Sequence, residues 1–151
     1  MKAFMLFVLV FFTSGLSIAP PDAVVVFSFG VGARNVLDSE NGTFTKDMVG
    51  DPPVTVPLRL TPGELRQIGE KARATGFFSQ PAVIKRSDCG FMMFPESSFR
   101  LRIRNGASDH TVSWTTACEP ESLQQLRKLL ETMIRSKEEY KKLPKPKSGY
   151  L

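Results

Sequence analysis

The chain has 151 residues, 20 Lys and Arg against 15 Asp and Glu for a formal net charge of +5, two Cys and a single His. One histidine rules out a His-rich zinc site, and about 130 residues beyond an N-terminal leader suit one ordinary domain with a single core. Moderate basicity favours acidic partners or anionic surfaces without choosing between them.

The chain opens "MKAFMLFVLVFFTSGLSIAPPDA", with Lys2, an apolar run of ten residues from Ala3 to Phe12, then small and polar residues. This is the layout of a secretory signal peptide. The run is half the length of about 20 that a membrane-crossing helix needs, so no stable membrane span is expected. Ser17 and Ala19 form the best cleavage pair, although Pro20 follows; Gly15 with Ser17 is the fallback. The expected organisation is a leader over 1–19, a single domain over 20–143 and a basic tail over 144–151, with the mature protein secreted or periplasmic. No Cys follows the apolar run, which excludes a lipid anchor there. In an oxidising compartment Cys89 and Cys118 read first as one disulfide, with free buried thiols as the alternative. Such a bridge closes a loop of about 30 residues, contributing about 3 to 4 kcal/mol on the chain-entropy model.

From Ala23, "AVVVFSFGVGAR" is rich in Val and Phe and predicts an opening strand. Asn41-Gly42 signals a hairpin turn between short extended stretches. In "VTVPLRL", Val54, Val56, Leu58 and Leu60 alternate with Thr55, Pro57 and Arg59, a strand with one buried face, and Pro57 places it at an edge or a bulge. "TPGEL" supplies Thr61 as N-cap, Pro62 at the first helical position and Glu64 to complete a capping box. Leu65, Ile68 and Ala72 mark the inner face of that helix, and Gly76 is placed to stop it. "SSFRLRIRNGASDHTVSWTT" reads as a hairpin with Phe99, Leu101 and Ile103 on one face, Arg100, Arg102 and Arg104 on the other, and Val112 and Trp114 on the returning strand. "EPESLQQLRKLLETMIRSKEEYKKL" predicts one long amphipathic helix ended by Pro144, with Leu123, Leu126, Leu130, Met133 and Ile134 inward. The fold class is therefore α+β: an antiparallel sheet of about five strands with two helices in the order β-β-β-α-β-β-α.

Motifs that would carry chemistry are sparse. "GVG" lacks the third glycine and the Lys-Ser/Thr ending of a phosphate loop, so it reads as a turn. Asp38 and Glu40 lack the further ligands of a calcium loop. Asn41-Gly42-Thr43 is formally a glycosylation acceptor, meaningful only in a eukaryotic secretory route. His110, beside Asp109, falls in the predicted hairpin turn with no nucleophile in view. Arg100, Arg102 and Arg104 form either the solvent face of a sheet or a linear positive ridge for carboxylates or phosphates. No aromatic residue interleaves with them, so nucleic acid is not an expected partner. The apolar run Phe91, Met92, Met93 and Phe94 follows Cys89, and reads as a disulfide-anchored packing element or a Met-rich recognition loop. The basic tail reads as a solvated end or a contact for an anionic surface. No catalytic residue, cofactor or metal is assigned.

"NVLDSENGTFTKDM" ahead of "LTPGELRQIGEKARATGFF", with "EEYKKLPKPKSGYL" after a long helix, resembles a loosely defined group of small exported bacterial proteins, many lipid-anchored and mostly of unknown function. The resemblance covers most of the mature chain, from which this sequence departs by lacking the anchoring Cys. The order strand, helix, phenylalanine pair, hairpin, helix is similar to the emfourin family of metalloprotease inhibitors. One His, a pair of cysteines and no metal or phosphate motif lead to the expectation of an exported, non-enzymatic binding module, with a protein or an anionic envelope component as partner; the second resemblance adds protease inhibition as one form of that activity. Two other classes stay open: a hydrolase of envelope polymers using Asp38, Glu40 and Asp47, and a structural subunit with an exposed apolar patch.

Overall fold

The computed structural model describes residues 23–85, 89 and 94–150. The leader over 1–19 and the side chains of Phe91, Met92 and Met93 lie outside the described residues. Strands β1 (Val24–Phe29), β2 (Asn35–Asp38), β3 (Thr43–Lys46), β4 (Val54–Pro57), β5 (Ser98–Asn105) and β6 (Ser108–Thr115) form one sheet in the order β4-β3-β2-β1-β5-β6, every neighbouring pair antiparallel. Helices α1 (Pro62–Ala74) and α2 (Glu121–Ser136) and a short α3 (Glu138–Lys141) complete an α+β domain.

The expected class holds, with two differences of detail. The sheet has six strands rather than about five because both flanks of Asn41-Gly42 pair, joined by a four-residue connection over 39–42. Strands of four residues, such as "NVLD" and "TFTK", are too short to show a clear alternating period. The long C-terminal helix is two helices, because Lys137 leaves the helical region at ψ 137°. The break turns the chain back so that Tyr140 meets Phe44 edge-on at 5.5 Å and Leu143 is buried.

Period-two alternation makes one face of the sheet apolar. Val25 and Phe27 of β1, Leu37, Phe44, and Phe99, Leu101 and Ile103 of β5 are buried there with Val112 and Trp114 of β6. Ile68 and Ala72 of α1, and Leu123, Leu126, Leu130, Met133 and Ile134 of α2, close the same core. Phe77, just past the left-handed Gly76 that ends α1, is fully buried. The β5–β6 turn puts Gly106, at φ 61°, at the first central position, where a two-residue hairpin of the II′ kind requires positive φ.

The two sheet edges are handled differently. Beside β6, residues 82–84 add a short parallel pairing in which Ser113 donates to the Ala82 carbonyl and accepts from the Ile84 amide, both at 2.9 Å. At the β4 edge, the Leu58 amide bonds to the Gly42 carbonyl, so Val56 and Val54 also face β3 while Pro53, Thr55 and Pro57 turn their backbone outward. Two of those three outward positions are prolines, which have no N–H to offer another strand, so "PPVTVP" makes a blunted edge.

At the start of α1 both bonds of the capping box form: the Glu64 amide donates to Thr61 Oγ1 at 3.2 Å and the Thr61 amide donates to Glu64 Oε2 at 2.7 Å. Glu64 also accepts from Lys137 Nζ at 2.6 Å, tying the helix start to the α2–α3 break. Thr61→Ala is expected to cost about 1 kcal/mol, read as a lower urea midpoint at unchanged slope. A midpoint unchanged within error would mean that the Lys137 contact alone holds this end.

Candidate functional site

The three described helices pack on the apolar face, and among the described residues the opposite face of the sheet carries no helix. Its rows follow from the register. Arg100 lies between Ser28 of β1 and Ser113 of β6; Arg102 between Val26 and Thr111; Arg104 between Val24 and Asp109. The three arginines thus share one face of β5, an interior strand one place from the β6 edge, on a face that no described helix covers. Val26, Ser28, Arg100, Arg102 and Thr111 line a shallow hollow of about 180 Å³ within it.

The three guanidiniums are not equivalent. Arg102 is forked onto Asp109, with Nε donating to Oδ1 at 2.9 Å and Nη2 to Oδ2 at 2.6 Å. That hydrogen bond, with the attraction of the arginine charge, holds the Asp109 carboxyl below its ordinary range and pushes the Arg102 guanidinium up. Arg104 reaches Glu40 across the sheet at 3.3 Å. Arg100 is exposed and has no ion pair among the described residues. Two charges on the ridge are therefore answered internally and the third is open to solvent.

The other predicted sites separate from this one. Cys89 and Cys118 lie at disulfide-bonding distance, with Cα atoms 5.4 Å apart, so the segment after Cys89 starts against the entry to α2. Phe94 is 77% exposed, which does not fit burial of its end of the Phe91–Phe94 run. A proline follows at once and the hairpin strand begins at Ser98, so Phe94 is carried outside the sheet. Among the described residues the large exposed hydrophobics are Phe94 and Val83.

His110 is a correction. It lies in β6 opposite Ile103 rather than in the turn, half-buried on the apolar side, with Nε2 2.8 Å from the Gln80 carbonyl and its ring edge-on to Phe77 at 5.8 Å. The turn is only Gly106-Ala107, shorter than "NGASD" suggested, which draws Asp109 and His110 into the strand. The Gly30–Ala33 segment is a turn, closed by the Ala33 amide on the Gly30 carbonyl at 2.9 Å.

The three acids considered for hydrolysis do not converge. Asp38 caps the β2–β3 turn, accepting from the amides of Glu40 and Asn41 and from Asn41 Nδ2. Partial burial opposes its charge, but these bonds prevail and keep its pKa below the ordinary value. Glu40 pairs with Arg104, and Asp47, past the other end of β3, accepts from the Tyr150 hydroxyl. No group of three or more metal-ligating side chains occurs among the described residues. The tail, expected as a solvated end, is exposed but tied down: Lys46 Nζ donates to the Pro144 carbonyl at 2.8 Å, Ser148 to the Val49 carbonyl at 2.8 Å, and Lys147 lies 3.4 Å from Asp51. The acids and carbonyls of the 46–51 loop hold it there, against the charge repulsion that would free a basic end.

The sequence pattern found the arginines but not what surrounds them. Ser28 and Val26 lie more than seventy residues earlier, and only strand pairing places them beside Arg100 and Arg102. Asp109 is brought to Arg102 only by the tightness of the two-residue turn. No family model, curated protein or solved structure matches this chain. Among the described residues no helix is long and apolar enough to cross a membrane.

Proposed function

We propose that the chain is an exported, non-enzymatic binding module that engages an anionic partner on the uncovered face of its sheet. The observation that carries this reading is the state of the ridge: three arginines in line on β5, two answered by Asp109 and Glu40, and Arg100 left open at a hollow. Charged residues are ordinary on the solvated face of an antiparallel sheet; what favours recognition is that one guanidinium stays unanswered beside two answered ones, on the rigid support of an interior strand. Export is supported by the leader-like N-terminus and by a cysteine pair placed to bond. The hydrolase reading gains nothing from its acids: Asp38 and Glu40 share a turn but are each already engaged, and Asp47 lies past the other end of β3.

Binding to an envelope extract tests this, with Arg100→Glu against Arg66→Glu, an exposed arginine of α1 that undergoes the same charge change. Both variants are expected to fold, surface changes staying within about 0.5 kcal/mol. Retention should be lost in Arg100→Glu and kept in Arg66→Glu. Equal losses would show that net charge alone matters, and retention by both would remove this face as the binding surface.

A further inference from the structure

We infer that the hollow beside Arg100 is a subsite for one tetrahedral oxyanion, a phosphate group, held by Arg100 and Arg102 with the hydroxyls of Ser28 and Thr111, while Asp109 competes for Arg102. This deepens the proposed function and rests on it for the identity of the binding face.

Size comes first. At about 180 Å³ the hollow is smaller than the roughly 300 Å³ at which pockets for whole small molecules begin, so it takes a group rather than a molecule. The rest of any larger ligand would lie on the open sheet. Donor geometry comes second. Arg100 and Arg102 are two residues apart on one face, roughly 6.8 Å along the strand, a gap that two flexible guanidinium arms close around a shared anion. Ser28, opposite Arg100 on β1, and Thr111, opposite Arg102 on β6, stand on the two sides of the ridge. The donors therefore come from three neighbouring strands. A planar carboxylate is already satisfied in the fork of Arg102 by Asp109, whereas a tetrahedral group has oxygens to meet donors from several directions.

Charge comes third. No carboxylate lines the hollow, and Arg100 brings an uncompensated positive charge to it. Asp109 occupies Nε and Nη2 of Arg102 and leaves Nη1 uncommitted, so an incoming anion meets one free guanidinium and one half-engaged. Asp109 and the anion compete for the same arginine, and removing the carboxylate charge strengthens the site.

The full chain, isotope-labelled, is titrated with inorganic phosphate while its amide resonances are followed; in parallel it is floated with phosphatidylcholine vesicles with and without phosphatidylglycerol. Saturable shifts are expected, confined to the amides around Ser28, Arg100, Arg102 and Thr111. Losing one charge-assisted contact in Arg100→Gln should weaken binding about tenfold, and Asp109→Asn should tighten it by about threefold or more. Saturation by free phosphate alone identifies a soluble phosphate; flotation dependent on both phosphatidylglycerol and Arg100 identifies a lipid headgroup. Either result supports the subsite. Unsaturable shifts, shifts spread to Arg59 and Arg66, or weaker binding in Asp109→Asn overturn it. If Arg100→Glu still abolishes retention by the envelope extract while phosphate fails to saturate, the subsite falls and the binding face stands. If phosphate saturates while retention is indifferent to Arg100, the subsite stands and the binding face falls.

Discussion

Phe27→Ala is expected to lower the unfolding free energy by about 3 to 5 kcal/mol, the range for truncating a fully buried aromatic residue. Phe27 has no exposed surface, lies on β1 between Leu37 of β2 and Leu101 of β5, and stacks on Phe29 at 4.8 Å and Phe99 at 6.4 Å. β1 bridges the β2–β3–β4 half of the sheet to the β5–β6 hairpin, so a cavity there loosens both. A domain of this size is stable by about 5 to 15 kcal/mol, so the loss removes a large share and can leave the variant partly unfolded at about 37 °C. Urea denaturation measures it, with Phe29→Ala as the comparison. Phe29 lies on the same face but is only partly buried, and its loss should be smaller. A cost below about 1 kcal/mol for Phe27 would mean the core collapses to fill the space, contrary to a close-packed interior.

Arg127→Ala is the second large effect, expected to cost about 3 kcal/mol, toward the low end for breaking a buried ion pair because Arg127 keeps some contact with solvent. Arg127 donates from Nε to Glu119 Oε1 at 2.7 Å and from Nη2 to Oε2 at 2.9 Å, reaches Glu131 with Nη1 at 3.0 Å, and lies 5.3 Å over the Phe99 ring. The Glu119 side chain is only 7% exposed and otherwise receives the Trp114 indole N–H at 3.0 Å and a side-chain bond from Gln124. Removing the guanidinium leaves a largely enclosed carboxylate that has lost its only charged partner among the described residues.

The same cluster sets the acid limb of stability. Burial pushes the Glu119 carboxyl upward, yet the bonds from Arg127 and Trp114 outweigh it and hold the pKa below the ordinary glutamate value of 4.5. Glu64 behaves likewise: burial raises it, and the bonds from Lys137 and the Thr61 amide bring it below 4.5. Because the unfolded chain binds these protons at higher pH than the folded one, their contribution is complete above about pH 4.5 and is lost as pH falls through the folded-state values. In Arg127→Ala the Glu119 carboxyl loses its main stabiliser, so acid unfolding should begin at a higher pH than in the parent, followed by tryptophan fluorescence. An unshifted acid midpoint would assign the limb to other carboxylates. In Glu119→Gln the limb should become shallower without moving upward.

Local patterns were legible where a residue acts through its own neighbours. The capping box, Gly76 as a stop, the alternation of β5 and the inner stripe of α2 all follow from dihedral preference and from periods of two and 3.6, which are properties of a segment. So was the edge position of "VTVP", since a proline tolerates only an unpaired side. The four-residue strands, the break at Lys137 and the place of His110 were not, for a common reason. Each is decided by a remote contact: short strands by cross-strand pairing, the break by burial of Tyr140 and Leu143, the strand position of His110 by the tightness of a two-residue turn.

The candidate site divides the same way. By itself, the sequence determined that three arginines share one face of a strand, because side chains in extended backbone alternate whatever lies beside them. Only the tertiary structure decided that this strand lies inside the sheet between β1 and β6, that Ser28 and Thr111 flank it, and that Asp109 and Glu40 answer two of its charges while Arg100 is left open. Register brings together residues far apart in the chain, and it is set by the burial of the opposite face, on which none of these polar residues lies.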